Sequence, residues 1–121
     1  MPSTGAPYFI MPRYGQNLWN YFYNNSKQMS KFSVLAIGRA MLDALENIHS
    51  FGYTYNDLKA DNILIGFEQK IGEDKTQNVF KNVKLHLLDF GFAQSFIKNG
   101  RHTTRSETNI FRGNTVFASI N

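Results

Sequence analysis

Between residues 31 and 50 the apolar side chains return every three or four positions, at Val34, Leu35, Ile37, Met41, Leu42, Leu45 and Ile48, while Arg39, Asp43 and Glu46 fall on the opposite side. That spacing predicts an amphipathic helix from about Lys31 to Ser50, with Ser30 as its N-cap and Gly52 as its terminator. His49, near the helix end, reads as structural. Upstream, Tyr8-Phe9-Ile10-Met11 reads as a short buried strand stopped by Pro12. The aromatic stretch from Gln16 to Asn25 reads as a short helix whose Leu18, Trp19, Tyr21, Phe22 and Tyr23 serve a core. Downstream, Tyr53 and Thr54 are extended, a polar loop runs from Tyr55 to Asn62, and Ile63-Leu64-Ile65 and Val83 to Leu88 form two strand-like runs. Between these strands, Glu68 to Asn82 is polar without periodicity, as expected of an exposed hairpin insertion. The Thr-, Ser-, Asn- and Arg-rich stretch from Gly91 to Arg112 fits a mobile segment, and residues 1–7 fit a loose terminus.

The polar loop carries the chemistry. In Tyr55-Asn56-Asp57-Leu58-Lys59-Ala60-Asp61-Asn62 an Asp is followed by a Lys two residues on and an Asn five residues on; Asp89-Phe90-Gly91 closes the second strand. Taken singly, the Asp57–Asn62 motif reads first as a polar turn and Asp89-Phe90-Gly91 as a strand end with a Gly turn, because Asn and Asp bond their own backbone and Gly punctuates strand ends. Both occur here in order, separated by a strand, a loop and a strand. Phosphoryl transfer has a use for every one of these groups. A carboxylate takes the hydroxyl proton, an ammonium offsets charge on the moving phosphoryl, and an amide and a second carboxylate hold a metal.

Composition narrows the setting without choosing the function. At 121 residues and 42% hydrophobic content the chain suits one domain, and its 15% aromatic fraction argues against disorder. The net charge of +4 and pI near 9.4 suit partners carrying phosphate. The basic residues are dispersed, however, so a solvated mixed surface explains them at least as well as a nucleic-acid patch. There is no cysteine, which excludes disulfide frameworks and Cys-based zinc sites. Neither a signal peptide nor an apolar run of membrane length is visible, so the expectation is an intracellular protein, cytoplasmic or nuclear, with no membrane partner.

From Tyr8 to Asn121 the sequence resembles the middle of a eukaryotic-type protein kinase domain, closest to the casein kinase I and vaccinia-related kinase group. Tyr8-Phe9-Ile10-Met11-Pro12-Arg13-Tyr14-Gly15 is similar to the group's hinge. Leu45-Glu46-Asn47-Ile48-His49-Ser50-Phe51-Gly52-Tyr53 is similar to the end of its long C-lobe helix, and Gly113-Asn114-Thr115-Val116-Phe117-Ala118-Ser119-Ile120-Asn121 to the segment that replaces A-P-E. The resemblance implies an α+β, partial kinase-like fold: mainly C-lobe helices, a catalytic loop and a short antiparallel hairpin. It implies ATP and Mg2+ as cofactors, and transfer of phosphate to Ser or Thr of a protein substrate. Asp57 would be the catalytic base and Lys59 a γ-phosphate contact, with Asn62 and Asp89 as metal ligands. Met11 would be the gatekeeper beside the adenine, Leu64 the pocket floor and Leu88 the residue before the metal-binding Asp. Pro12 would accept from the adenine through its carbonyl, and the N–H of Tyr14 would donate to the ring.

Departures from the pattern sharpen these expectations. Tyr55-Asn56-Asp57 stands where H-R-D is usual, so the Arg that grips a phosphorylated activation segment is missing, as in the vaccinia-related kinases. Thr103, Thr104, Ser106 and Thr108 are therefore weak candidates for an activating phosphosite. Asn114 replaces a Thr whose hydroxyl supports the catalytic Asp and Lys, and Val116 replaces an Arg implicated in reading phosphorylated substrates. No G-x-G-x-x-G or V-A-I-K precedes the hinge, so the chain alone is expected to transfer phosphate feebly. The competing reading is a catalytically impaired, kinase-like module that binds nucleotide or protein. A basic nucleic-acid binder ranks last.

Overall fold

The structure, a computed structural model, describes residue 5, residues 7–66, residue 80, residues 83–103, residue 111 and residues 113–118. Helix α1 spans Leu18–Asn24 and α2 spans Lys31–Ser50, both where the sequence places them. Among the described residues six short strands follow: β1 (Tyr53–Thr54), β2 (Ile63–Ile65), β3 (Leu85–Leu87), β4 (Gln94–Ser95), β5 (Ile97–Lys98) and β6 (Arg101–His102), with a 3₁₀ turn over Ala60–Asn62. All pairings are antiparallel: β1 with β4, β2 with β3 and β5 with β6.

Local chemistry fixes the ends of α2. The Ser30 hydroxyl accepts from the Ser33 N–H at 3.1 Å, supplying a partner to one of the first-turn donors that the helix itself leaves unpaired. At the other end Gly52 adopts φ 79° and its N–H donates to the carbonyl of His49 at 2.8 Å, a left-handed stop that a side chain would resist. The N-cap of α1 is Asn17, whose side-chain oxygen accepts from the Asn20 N–H at 2.8 Å.

Leu18, Ile37, Met41, Ile63, Ile65 and Phe80 form the core. Ser33, Ile37 and Met41, four residues apart, define the buried row of α2. Fully burying a side chain such as Met41 contributes about 1.5–3 kcal/mol. The expected stripe is corrected here, because Val34, Leu35 and Leu42 are exposed and Leu42 is 69% accessible. At about 100° per residue Leu42 lies roughly 140° around the helix from Ile37, so no single contact face covers both. Leu45, Ile48, Leu58 and Leu87 are half-buried.

Three further expectations are revised. Tyr8 to Met11 forms no strand and lies exposed, Ile10 at 90%; no described strand runs alongside to pair its backbone groups. The chain is first held just beyond Pro12, where the Gly15 N–H donates to the Ile65 carbonyl at 2.8 Å and the Ile65 N–H to the Gln16 carbonyl at 3.0 Å. Within the expected exposed insertion, Phe80 is buried and meets Tyr21 edge-on at 5.2 Å; residues 68–79, 81 and 82 lie outside the described residues. The expected mobile stretch holds β4, β5 and β6 up to His102, while residues 104–110 and 112 lie outside the described set.

The β2–β3 ladder positions the site. Its register pairs Ile63 with Leu87, Leu64 with His86 and Ile65 with Leu85. Alternation along the strands puts Ile63, Ile65, Leu85 and Leu87 on the core side. The two ends carrying the chemistry, Asn62 before β2 and Asp89 after β3, are thereby brought to the same edge.

Candidate active site

The turn Ala60–Asn62 folds Asn62 back onto Asp57. The Asn62 side-chain N–H₂ donates at 2.7 Å to Asp57 Oδ2 and at 3.0 Å to the Asp57 carbonyl. The Lys59 ammonium reaches the same Oδ2 at 2.8 Å. Asp57 is only 2% exposed, and a carboxylate withdrawn from water to this degree needs such charged and polar partners. Hydrogen bonding to Asp57 holds the Lys59 pKa above its usual value, with the charges of Asp57, Asp61 and Asp89 adding to it. Asp57, Lys59 and Asn62 thus meet at one carboxylate oxygen.

Asp89 sits beside this cluster. The Leu88 N–H donates to the Asn62 carbonyl at 2.9 Å, locking the end of β3 to the 3₁₀ turn. Asp89 has a left-handed backbone, φ 61°, and its Oδ1 accepts from the Gly91 N–H at 3.0 Å, leaving its other oxygen for a further partner. With Phe9, Met11, Tyr14, Leu87, Leu88 and Phe90 it lines a cavity of about 590 Å³. Of the residues expected around an adenine, Met11, Tyr14 and Leu88 come together there. Pro12 and Leu64 are not part of the lining: Pro12 is exposed and Leu64 pairs with Asn17 and His86. The Tyr14 ring stacks at 4.5 Å on His86.

No group of three or more His, Cys, Asp or Glu among the described residues is arranged to hold a metal. The expected pair is an amide and a carboxylate. Magnesium is bound through one or two protein carboxylates with waters and substrate phosphates completing its shell, so the oxygens of Asn62 and Asp89 fit that ion.

Sequence reasoning gave Tyr55 no part in the site. It is 1% exposed, its hydroxyl donates to the Leu88 carbonyl and its ring meets Phe90 edge-on at 5.3 Å. One side chain therefore joins the loop of Asp57 to both neighbours of Asp89. Burial pushes its phenol up to about 12, Asn62 pulling the other way and the charges of Asp57 and Asp89 adding to the rise. A folded-state pKa above the unfolded value means that the neutral hydroxyl stabilises the fold. That contribution is complete below pH 10 and is lost as pH climbs through about 12. A phenolate-absorbance titration should show one of the six tyrosines ionising last, coincident with loss of structure. Tyr55→Phe should remove that late step and cost roughly 1–3 kcal/mol, since the Leu88 carbonyl loses its donor.

Comparison with known proteins bears on the family. The protein kinase domain family matches residues 3–119. Nucleosomal histone kinase 1 of Drosophila melanogaster is 37% identical over 74% of the chain. The B1 kinase of vaccinia virus (strain Ankara) is 30% identical over 78%, and a casein kinase 1-like protein of Oryza sativa subsp. japonica is 28% identical over 92%. The chain spans 13%, 28% and 15% of the lengths of these three relatives. No helix among the described residues is long and apolar enough to cross a membrane. By its matched span and its relatives, the chain belongs to the protein kinase family, in the group of the casein kinase I and vaccinia-related kinases.

Proposed function

We propose that this chain carries the catalytic and metal-binding half of a protein kinase that transfers the terminal phosphate of ATP to Ser or Thr of a protein. The observation carrying this reading is the joint grip of Lys59 and Asn62 on the buried Asp57 carboxylate, beside the cavity that Asp89 lines. Asp57 accepts the proton of the attacking hydroxyl. Its two partners fix the carboxylate and so settle its orientation before substrate arrives. The Lys59 ammonium lies close enough to offset negative charge gathering beside Asp57. Magnesium, when bound, neutralises charge on the phosphates; Asn62 and Asp89 would hold it. Met11, Tyr14 and Leu88 form the apolar wall for the base. A lysine two residues after the base accompanies Ser and Thr specificity in the family resemblance, and the Drosophila relative's name makes a histone the first protein to assay, in the nucleus or the cytoplasm.

Calorimetry with ADP tests the site directly, because binding does not require turnover. The chain should bind ADP more tightly with magnesium than without it, and Asp89→Ala should abolish the magnesium increment while leaving α2 helicity unchanged. Magnesium-independent binding, or an increment that survives Asp89→Ala, would remove the metal assignment.

A further inference from the structure

Tyr14 is the first residue of its run to be covered: Tyr8 to Arg13 are exposed and no described strand pairs with them, whereas Tyr14 is half-buried. Two contacts hold it. On its C-terminal side the Gly15 N–H donates to the Ile65 carbonyl at 2.8 Å, and the two backbones approach so closely that a Cβ at Gly15 would lie 2.9 Å from that oxygen. Through its side chain, the Tyr14 ring meets the His86 ring at 4.5 Å between centroids, with 35° between the planes. Aromatic pairs at such separations attract beyond the area they bury.

His86 lies on the face of β3 that the core does not use. Leu85 and Leu87 pack on the core, and strand alternation turns His86, opposite Leu64, the other way. The catalytic reading leaves this half-buried imidazole without a role. It does not line the cavity beside Asp89, whereas Tyr14 does, so His86 reaches the cavity only through the Tyr14 ring. A tyrosine side chain has several staggered positions open to it, and a second ring against one face selects among them. A wall that is already in position spares a ligand the entropy of ordering it.

We infer that His86 is a positioning residue for the nucleotide base: its ring holds that of Tyr14 as a fixed wall of the cavity beside Asp89, so that the base meets a surface already in place. The inference rests on the kinase reading and deepens it by giving the base end of the ligand a support that the phosphate end does not share. The groups assigned to the metal are held elsewhere, Asn62 by Asp57 and Asp89 by the Gly91 N–H.

Calorimetry with ADP on the whole 121-residue chain, with and without magnesium, tests it. His86→Ala should weaken ADP binding about three- to tenfold, as loss of one aromatic pair predicts. The magnesium increment, the ratio of the two affinities, should stay within about twofold of the unaltered chain, the scatter expected of independent groups. General damage to the β2–β3 ladder would instead lower that ratio, because Asn62 and Asp89 stand at its ends. His86→Phe keeps a flat ring without the nitrogens and should restore ADP binding to within about twofold. In a Tyr14→Ala background His86→Ala should have no further effect, since a residue acting through Tyr14 then has nothing to act on. Unchanged ADP affinity in His86→Ala overturns the inference, and so does a magnesium increment that falls with it. An undiminished effect in the Tyr14→Ala background overturns action through Tyr14, and failure of His86→Phe to restore binding overturns the part given to the ring. If the unaltered chain does not bind Mg-ADP, the kinase reading fails and this inference with it; if it binds and His86→Ala binds equally well, the inference alone fails.

Discussion

Asp57→Asn should lower phosphoryl transfer by about 10²–10⁴-fold, the range by which a positioned general base accelerates proton transfer. The measurement belongs in a preparation that turns over, with the glycine-rich loop and the Lys–Glu pair present. The substitution is nearly isosteric, so packing around a residue 2% exposed survives. What changes is the acceptor. Asp57 Oδ2 takes hydrogen bonds from both Lys59 and Asn62, and an amide placed there either presents its own N–H₂ to those donors or turns its oxygen to them and keeps no base for the substrate. Because Asn62 and Asp89, and not Asp57, are assigned to the metal, the loss should fall on kcat while affinity for Mg-ADP stays within about twofold. A variant retaining more than about a tenth of the rate would show that proton removal by Asp57 is not needed.

Much of the fold was legible because it is local. The period of α2, its Ser30 cap and its Gly52 stop all act within a few residues, and the strands flanking the two polar motifs appear at the expected residues. The failures are non-local. Leu42 and Ile37 are both apolar and helical, and only the position of the neighbouring elements decides which one is covered. The hydrophobicity of Tyr8 to Met11 signals a strand, but a strand exists only where a neighbour supplies hydrogen bonds. One miss had a local signal: Asn99-Gly100, with φ of 53° and 72°, is the pair that type I′ hairpins favour, and it turns β5 into β6 within a stretch read as mobile.

Of the site, the members of the two motifs were legible as types at a spacing, and Asp57, Lys59 and Asn62 do meet. Tyr55 and Asn56 were not legible as active participants. Their partners are backbone carbonyls of Leu88 and Phe92, 33 and 36 residues away, and a carbonyl has no signature in sequence. Together these two residues clamp the turn of Asp89 from both sides. The positive φ of Asp89 is costly for a non-glycine residue, and its own bond to Gly91 with the Tyr55 and Asn56 contacts on either flank holds it in place.

The 121-residue chain by itself should transfer phosphate feebly and tend to aggregate. Catalysis of phosphoryl transfer is nearly all positioning and charge stabilisation in a water-excluded site. Here the cavity beside Asp89 is walled by Met11, Tyr14 and Leu88, while Phe9, which also lines it, is 84% exposed. In this chain no glycine-rich loop or V-A-I-K lysine accompanies them. Water that reaches the phosphates weakens every charge interaction in the site. The same exposed run, with unpaired backbone groups and four consecutive apolar side chains from Tyr8 to Met11, is a ready surface for association with another copy. Joining the chain to a kinase N-lobe and to further C-lobe helices should restore magnesium-dependent phosphorylation of Ser or Thr and reduce aggregation, both followed on the same preparation by radiolabel transfer from ATP and by light scattering. Robust transfer by the 121-residue chain alone, abolished by Asp89→Ala, would show that Asp57, Lys59, Asn62 and Asp89 suffice without the enclosure, and that the covering groups contribute far less to the rate than electrostatics in a dry site requires.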